Sequence, residues 1–315
     1  MKRKPFQLCG SVVFAMLLLQ IIGFTGGKMQ EVSVFADDEN VITKEYHGFT
    51  CKIINEEELI VSGEGKLGSE CNVLLSEQNS EGTEYEDVIL KSITFEEGIE
   101  EIDYSCALYN AELINLPASC TKIHNNFWVN ALNHTVNLSP ENTQYILEDG
   151  VVYSRDQSEL IRAAKKEYEK FTIPETVEKI QQYAFSGCKI KDLYFSDNGK
   201  ITEIGYNAFY GSSYSVDYGC EIETVHIPDY IEVISNGNFN NDTNILLEEG
   251  SQLISFYCSS KYGQITDVSF LKNAKRLKNF YIGFASLSDE SIEVLKGLEE
   301  LEEIRVESGM LSQEL

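Results

Sequence analysis

The chain has 315 residues, 43% of them apolar and 11% aromatic, which is enough to build a core and excludes a disordered ground state. It carries 51 acidic against 25 basic residues, a formal net charge of −26. Such a charge repels phosphate backbones, and with no basic stripe in the sequence it removes nucleic acid from the set of partners.

The first predicted element is an export signal. Met1-Lys2-Arg3-Lys4 is basic, an apolar run extends from Gly10 to Thr25, and Val34-Phe35-Ala36 precedes Asp37-Asp38. A basic start, a short apolar core and a small residue at a Val-x-Ala site mark a secretory signal peptide. The run is short for a bilayer span of about 20 residues, and Gln20 and Gly23 break it. Cleavage near Ala36 is therefore expected, giving a signal at 1–36, a secreted or surface-associated product and only transient membrane contact. Removing four basic residues and one acid with the signal leaves 21 and 50, a net −29.

Of eight cysteines, Cys9 would leave with the signal, and seven at irregular spacings make a poor disulfide framework. No Cys-x-x-Cys occurs. His47, His124, His134 and His226 have no ligand spacing to one another or to the cysteines, so no metal or other cofactor is expected. The remaining cysteines read as core or free thiols, with no nucleophile signature around them.

Downstream, Gly63-Glu64-Gly65-Lys66-Leu67-Gly68 is a literal GxGxxG after Leu59-Ile60-Val61. In a dinucleotide fold such glycines admit a pyrophosphate at a helix N-terminus. No second βαβ unit follows, so a turn after a strand is the expected role. Acid runs such as Glu56-Glu57-Glu58 and Glu96-Glu97 lack the ligand order of a calcium loop and read as solvated faces.

From residue 88 the chain repeats. Apolar residues recur at i, i+3 and i+5 in Leu90/Ile93/Phe95, Ala111/Ile114/Leu116, Tyr168/Phe171/Ile173, Ile190/Leu193/Phe195 and Ile222/Val225/Ile227, with Val136/Leu138 as a shortened copy. Their last members lie 21, 22, 35, 22 and 32 residues apart. The long gaps are one repeat plus an insertion, at 142–170 and 211–221. A second pair follows each strand: Ile99/Ile102, Cys120/Ile123, Val177/Ile180, Ile201/Ile204 and Ile231/Ile234. Five residues on stands Ala107, Trp128, Phe185, Phe209 or Phe239. Pro117, Pro174 and Pro228 each end a strand, where proline interrupts no ladder.

This pattern predicts a solenoid. A few buried side chains at about 1.5–3 kcal/mol each cannot offset the ordering entropy of a coil at about 1–2 kcal/mol per residue. Each coil therefore needs neighbours stacked about 4.8 Å away.

At 249–315 two readings compete for the first segment. Residues 251–262 read as a helix, with Ser251 as N-cap, Gly263 as stop, and Leu253, Ile254, Tyr257 and Cys258 on one face; this reading is preferred. Alternatively Leu253/Phe256/Cys258 is a strand in step with Leu277/Phe280/Ile282 and Leu301/Ile304/Val306 at 24-residue spacing. SDESIEVLKGLEEL reads as a helix on the opposite side of the coil.

FTIPETVEKIQQYAFSGC (171–188) and ITEIGYNAFYGS (201–212) resemble the BspA-like leucine-rich repeat of bacterial surface proteins. Residues 142–174 look like the family's recurring insert, and FTCKIINEEELIVSGEG (49–65) is similar to its N-terminal cap strands. The resemblance implies an α/β or mainly β solenoid, a right-handed leucine-rich repeat superhelix. It would have a β cap at 37–87, BspA-type coils at 88–248 and more regular coils to 315. It also implies a non-enzymatic attachment role, with an extracellular protein or glycan as partner. The residues themselves place the candidate site on strand positions facing away from the core: Thr94, Asn115, Asn137, Thr172, Tyr194 and His226. An exported polysaccharide hydrolase, its targeting module or a structural envelope protein is the alternative. Enzymatic action would need a catalytic pair on one of the insertions.

Overall fold

A computed structural model of the chain describes residues 19–25, 28–38, 41–55, 57–68, 90–103, 111–124, 127, 135–164, 167–209, 220–234, 239, 243–259, 267–283 and 287–307. The described residues form a mainly β solenoid of stacked parallel strands, entered through an antiparallel cap.

The cap is a meander of β1 (Leu19–Thr25), β2 (Lys28–Asp38), β3 (Val41–Tyr46), β4 (Phe49–Ile54) and β5 (Glu58–Ser62). The chain then crosses to a second side of the coil as β6 (Gly65–Leu67). From there to Leu247, the described coils place their long strands on the first side and their short ones on the second. β7 (Leu90–Phe95) continues the sheet from β5 in parallel, and β8 (Ile99–Ile102) pairs with β6. β9 (Ala111–Leu116), β10 (Lys122–Ile123) and β11 (Thr135–Leu138) extend these two ladders.

The alternation of the long strands explains their burial. Leu90, Ile93, Phe95, Ala111, Ile114, Leu116 and Val136 point inward and are buried, and Leu138 is half-buried. The pairs Ile99/Ile102 and Cys120/Ile123 close the opposite wall. Ala107 and Trp128 lie outside the described residues, but Phe127, next to Trp128, is fully buried and meets Phe95 edge-on at 6.1 Å.

The first insertion is the main departure from expectation. β12 (Tyr145–Glu148), β13 (Val151–Ser154) and β14 (Glu159–Ala163) form an antiparallel unit, and β14 joins the short-strand ladder through β16 (Lys179–Ile180). β13 and β14 are buried on both faces. Val151, Tyr153, Leu160 and Ala163 pack toward the C-terminal core, whereas Val152, Ile161 and Ala164 pack toward the N-terminal one. The insertion is thus a wall between two hydrophobic cores. Asn142 fastens it to the preceding coil: its buried amide donates to the carbonyls of Pro117 and Cys120 at 3.0 and 2.7 Å and accepts from the Gln144 and Tyr145 N–H groups.

Beyond the wall, β15 (Glu167–Ile173), β17 (Lys189–Phe195), β19 (Glu221–Ile227) and β21 (Asn244–Leu247) form a four-stranded parallel sheet. β16, β18 (Glu203–Ile204) and β20 (Val233–Ile234) line the other side. Phe185, Phe209 and Phe239 stack between them, with centroids 4.9 and 5.5 Å apart. Gly205 follows Ile204 because a Cβ there would come 2.5 Å from the Gln182 amide nitrogen of the previous coil.

At the C-terminal end the preferred helical reading of 251–262 is overturned. Ser255–Ser259 is a strand, β22, paired with β20 on one side and β23 (Asn279–Gly283) on the other; β24 (Glu303–Glu307) follows. The face predicted for the helix is split, with Leu253 and Phe256 buried and Tyr257 turned to the other side. Ser251 accepts from the Leu253 N–H, forming a turn rather than starting a helix. Residues 260–263, the end of the expected helix, lie outside the described residues. Ladder partners on both sides outweighed a local helical periodicity. The expected helix within 288–301 is present at Asp289–Lys296, capped by Ser288, whose Oγ accepts from the Ser291 N–H at 3.2 Å.

Candidate binding surface

The predicted outward column exists as two separate triplets, divided by the wall. Thr94, Asn115 and Asn137 are in register on β7, β9 and β11. Thr172, Tyr194 and His226 are in register on β15, β17 and β19.

The two triplets differ in chemistry. In the first, the Asn137 Nδ2 donates to Asn115 Oδ1 at 3.0 Å, and the Asn115 Nδ2 donates to Thr94 Oγ1 at 2.9 Å. This amide ladder spends its polar groups on its own register. In the second, the Tyr194 and His226 rings stack at 4.0 Å and 10°. The Lys170 ammonium lies 4.4 Å from the Tyr194 centroid, within cation–π reach. The Asp192 carboxylate stands 3.9 Å from His226 Nε2. Register explains the cluster: Lys170, Asp192 and Thr224 occupy one row, two residues before Thr172, Tyr194 and His226 in the next. A cation, an aromatic ring, an imidazole and a carboxylate thus share one patch, flanked by the ion pairs Lys191–Glu169 and Lys189–Glu221 at 3.2 Å each.

The other sequence candidates resolve into structure. Gly63 and Gly65 have φ of 150° and 84°, and strand β6 rather than a helix follows. A Cβ on Gly63 would fall 2.3 Å from the Phe49 ring, so this glycine admits an aromatic ring of the cap. Burial pushes the Cys51 and Cys120 thiols up to about 12 and the Cys188 thiol up to about 11, and raises Cys220 as well. Thiols held protonated in this way are packing groups rather than nucleophiles. Cys71, Cys106 and most of the second insertion lie outside the described residues.

The helical pattern of 251–262 gives Tyr257 no place on a strand face. The structure sets Tyr257, Tyr281 and Arg305 in one outward row across β22, β23 and β24. The 24-residue spacing of the alternative strand reading was the signal that could have found it.

The BspA type leucine-rich repeat region matches this chain in six copies, over residues 83–154 and 163–288. None of the curated proteins matches it. Among solved structures, a leucine-rich repeat protein from Eubacterium ventriosum is similar at 15% identity with a TM-score of 0.37, covering 86% of this chain and 92% of its own. The pneumococcal vaccine antigen PcpA is similar at 14% identity with a TM-score of 0.38, covering 93% of this chain and 100% of its own. Both superpositions are loose; the assignment rests on the repeat match and the coil geometry. The chain belongs to the BspA-type leucine-rich repeat family, a repeat architecture suited to binding and recognition.

Proposed function

We propose that the chain is a secreted or cell-surface recognition protein that holds an extracellular protein or glycan of host matrix or neighbouring cells, without catalysis. The observation that carries this reading is the Lys170–Tyr194–His226 stack beside Asp192 on the outer face of the long-strand sheet. The stack is held by strand register, so little side-chain entropy remains to be lost on binding. Tyrosine is a favoured anchor at interfaces. The buried insertion lends support from the other side, since β13 and β14 spend their residues on two cores rather than on an open cleft. Export by the signal at 1–36 belongs to the same reading, and cleavage near Ala36 would remove β1 and most of β2, leaving β3 as the edge of the cap sheet.

The test is a pull-down from extracellular-matrix and bacterial-surface extracts, comparing the purified chain with Tyr194→Ala and His226→Ala variants of unchanged circular dichroism. Capture of a partner that both substitutions weaken is expected. Unchanged capture by both variants would remove this patch as the site, and turnover of a glycan or peptide substrate would replace the reading with an enzymatic one.

A further inference from the structure

The outer face of the short-strand side changes character along the solenoid. In the N-terminal and central coils its outward positions are charged and pair across coils: Lys66 and Lys122 reach Glu101 at 3.2 and 3.0 Å, and Lys179 reaches Glu203 at 3.2 Å. Two-residue strands such as β16 and β18 leave room for one such row. At β22, β23 and β24 the strands lengthen to five residues, and a second outward row appears. The first row becomes Ser255, Asn279 and Glu303, and the new one is Tyr257, Tyr281 and Arg305.

These rows enclose a shallow groove of about 300 Å³, lined by Tyr257, Asn279, Phe280, Tyr281, Glu303 and Arg305. The two tyrosine rings are 6.1 Å apart and inclined at 34°, neighbouring platforms rather than a closed stack. The Asn279 Nδ2 donates to Ser255 Oγ at 3.0 Å. The Arg305 Nε donates to Glu303 Oε1 at 2.7 Å.

We infer that this groove binds a neutral oligosaccharide. Its two ionic groups neutralise each other, so a partner need bring no charge. A chain with net charge −26 disfavours acidic polysaccharides at any distance within the screening length. A cationic peptide would have to share the Glu303 carboxylate with Arg305, whose own charge repels it. Sugars present apolar C–H faces that lie on aromatic rings, with a rim of hydroxyls that both donate and accept. Amide, carboxylate and guanidinium groups beside the rings supply the matching acceptors and donors. Two rings on adjacent strands offer equivalent places to successive units of a linear chain. The volume, at the low end for a ligand site, suits a few sugar units and not a folded domain.

This site lies on the opposite side of the coil from Tyr194 and shares no residue with the patch proposed above, so each can fail without the other. The test is isothermal titration calorimetry of the purified chain with chitohexaose, cellohexaose and maltohexaose, and with heparin and a lysine-rich peptide. Saturable binding of at least one neutral oligosaccharide is expected. Tyr257→Ala and Tyr281→Ala should each weaken it by about tenfold or more, with Tyr281→Phe, which keeps the ring, recovering most of that loss, while Lys179→Ala, on the same side of the coil but outside the groove, leaves it nearly unchanged. Both alanine positions face outward, and unaltered circular dichroism would confirm that the variants fold. Absence of binding by all three neutral probes would overturn the inference. So would affinity confined to heparin or the peptide, or binding of a neutral probe that neither alanine variant weakens.

Discussion

The central coils and the C-terminal coils solve the same stacking problem with their sides exchanged. Between residues 167 and 247 the long strands form the first side, and strands of two residues close the second. After β21 the first side passes to helices: the short 3-10 turn Ser269–Asn273 packs on β21, with the Asn273 Nδ2 donating to the Leu247 carbonyl at 2.7 Å, and Asp289–Lys296 packs on that turn. The second side keeps its ladder and widens. The carbonyls of Glu178, Glu232, Ile254 and Lys278 each accept two successive N–H groups from the next coil. The same bonding pattern therefore recurs on both sides of the change in which side carries the broad sheet, although β18 and β20 belong to separate sheets. The lesson concerns function: the broad, presentable face of the central coils and that of the C-terminal coils look in different directions and carry different chemistry.

The largest effect is expected on removing the aromatic spine of the central block. Phe209 is fully buried between Phe185 and Phe239. Phe209→Ala should destabilise the protein by about 3–5 kcal/mol, read as a lowered urea midpoint. If the two blocks share one cooperative unit through the β20–β22 pairing, the helix signal of Asp289–Lys296 will be lost in the same transition. A surviving helical signal would show that the C-terminal coils stand on their own.

A smaller effect is expected at the wall. Asn142→Ala leaves the Pro117 and Cys120 carbonyls and two N–H groups without their amide partner, a loss of about 2–4 kcal/mol, since a buried group without its partner costs about 1–3 kcal/mol. Hydrogen exchange should then show the N-terminal core opening apart from the C-terminal one. Uniform loss of protection across both cores would argue that the wall does not separate them. Ser288→Ala removes the N-cap of the C-terminal helix and should cost about 1 kcal/mol, seen as earlier thermal loss of helical ellipticity with the central sheet unaffected.

The smallest expected effect is a pH response in the insertion turn. Hydrogen bonds from the Ser154 hydroxyl and from the Ser158 N–H and hydroxyl hold the Asp156 carboxyl down at about 2. A carboxyl depressed on folding contributes stability above its unfolded value of about 3.8, and that contribution fades as pH falls toward 2. The protection factor of the Ser158 amide, its exchange taken against the intrinsic rate at each pH, should therefore fall below about pH 4 while the sheet amides remain protected. A flat profile down to pH 2 would show that the turn does not depend on the carboxylate.

Much of the scaffold was legible because its period is written in apolar residues. The triplets Ile190/Leu193/Phe195 and Ile222/Val225/Ile227, the pairs Val177/Ile180 and Ile231/Ile234, and the prolines after the strands all take the places their spacing implied. The candidate column was legible by alternation, and the helix within 288–301 by its place between two strands at 24-residue spacing. Three things were not. The insertion at 142–170 carries hairpin signals but no local sign that both its faces would be covered. At 251–262 a helical apolar pattern and a strand pattern coincide, and only the neighbouring strands arbitrate. The division of the outward column into an amide ladder and an aromatic–cationic patch depends on that same wall.

The coil follows from local pattern: which residues turn inward, where strands stop, and that no coil can stand without neighbours, because each buries too little apolar surface to offset its own ordering. Which side of the coil each outward residue meets the solvent on follows from packing. That choice rests on pairing between residues far apart along the chain. The backbone N–H and carbonyl groups of Ser255–Ser259 had to find partners, and Val233–Ile234 on one side and Asn279–Gly283 on the other supplied them. Tyr257 and Tyr281 came to lie side by side as a consequence, through register alone.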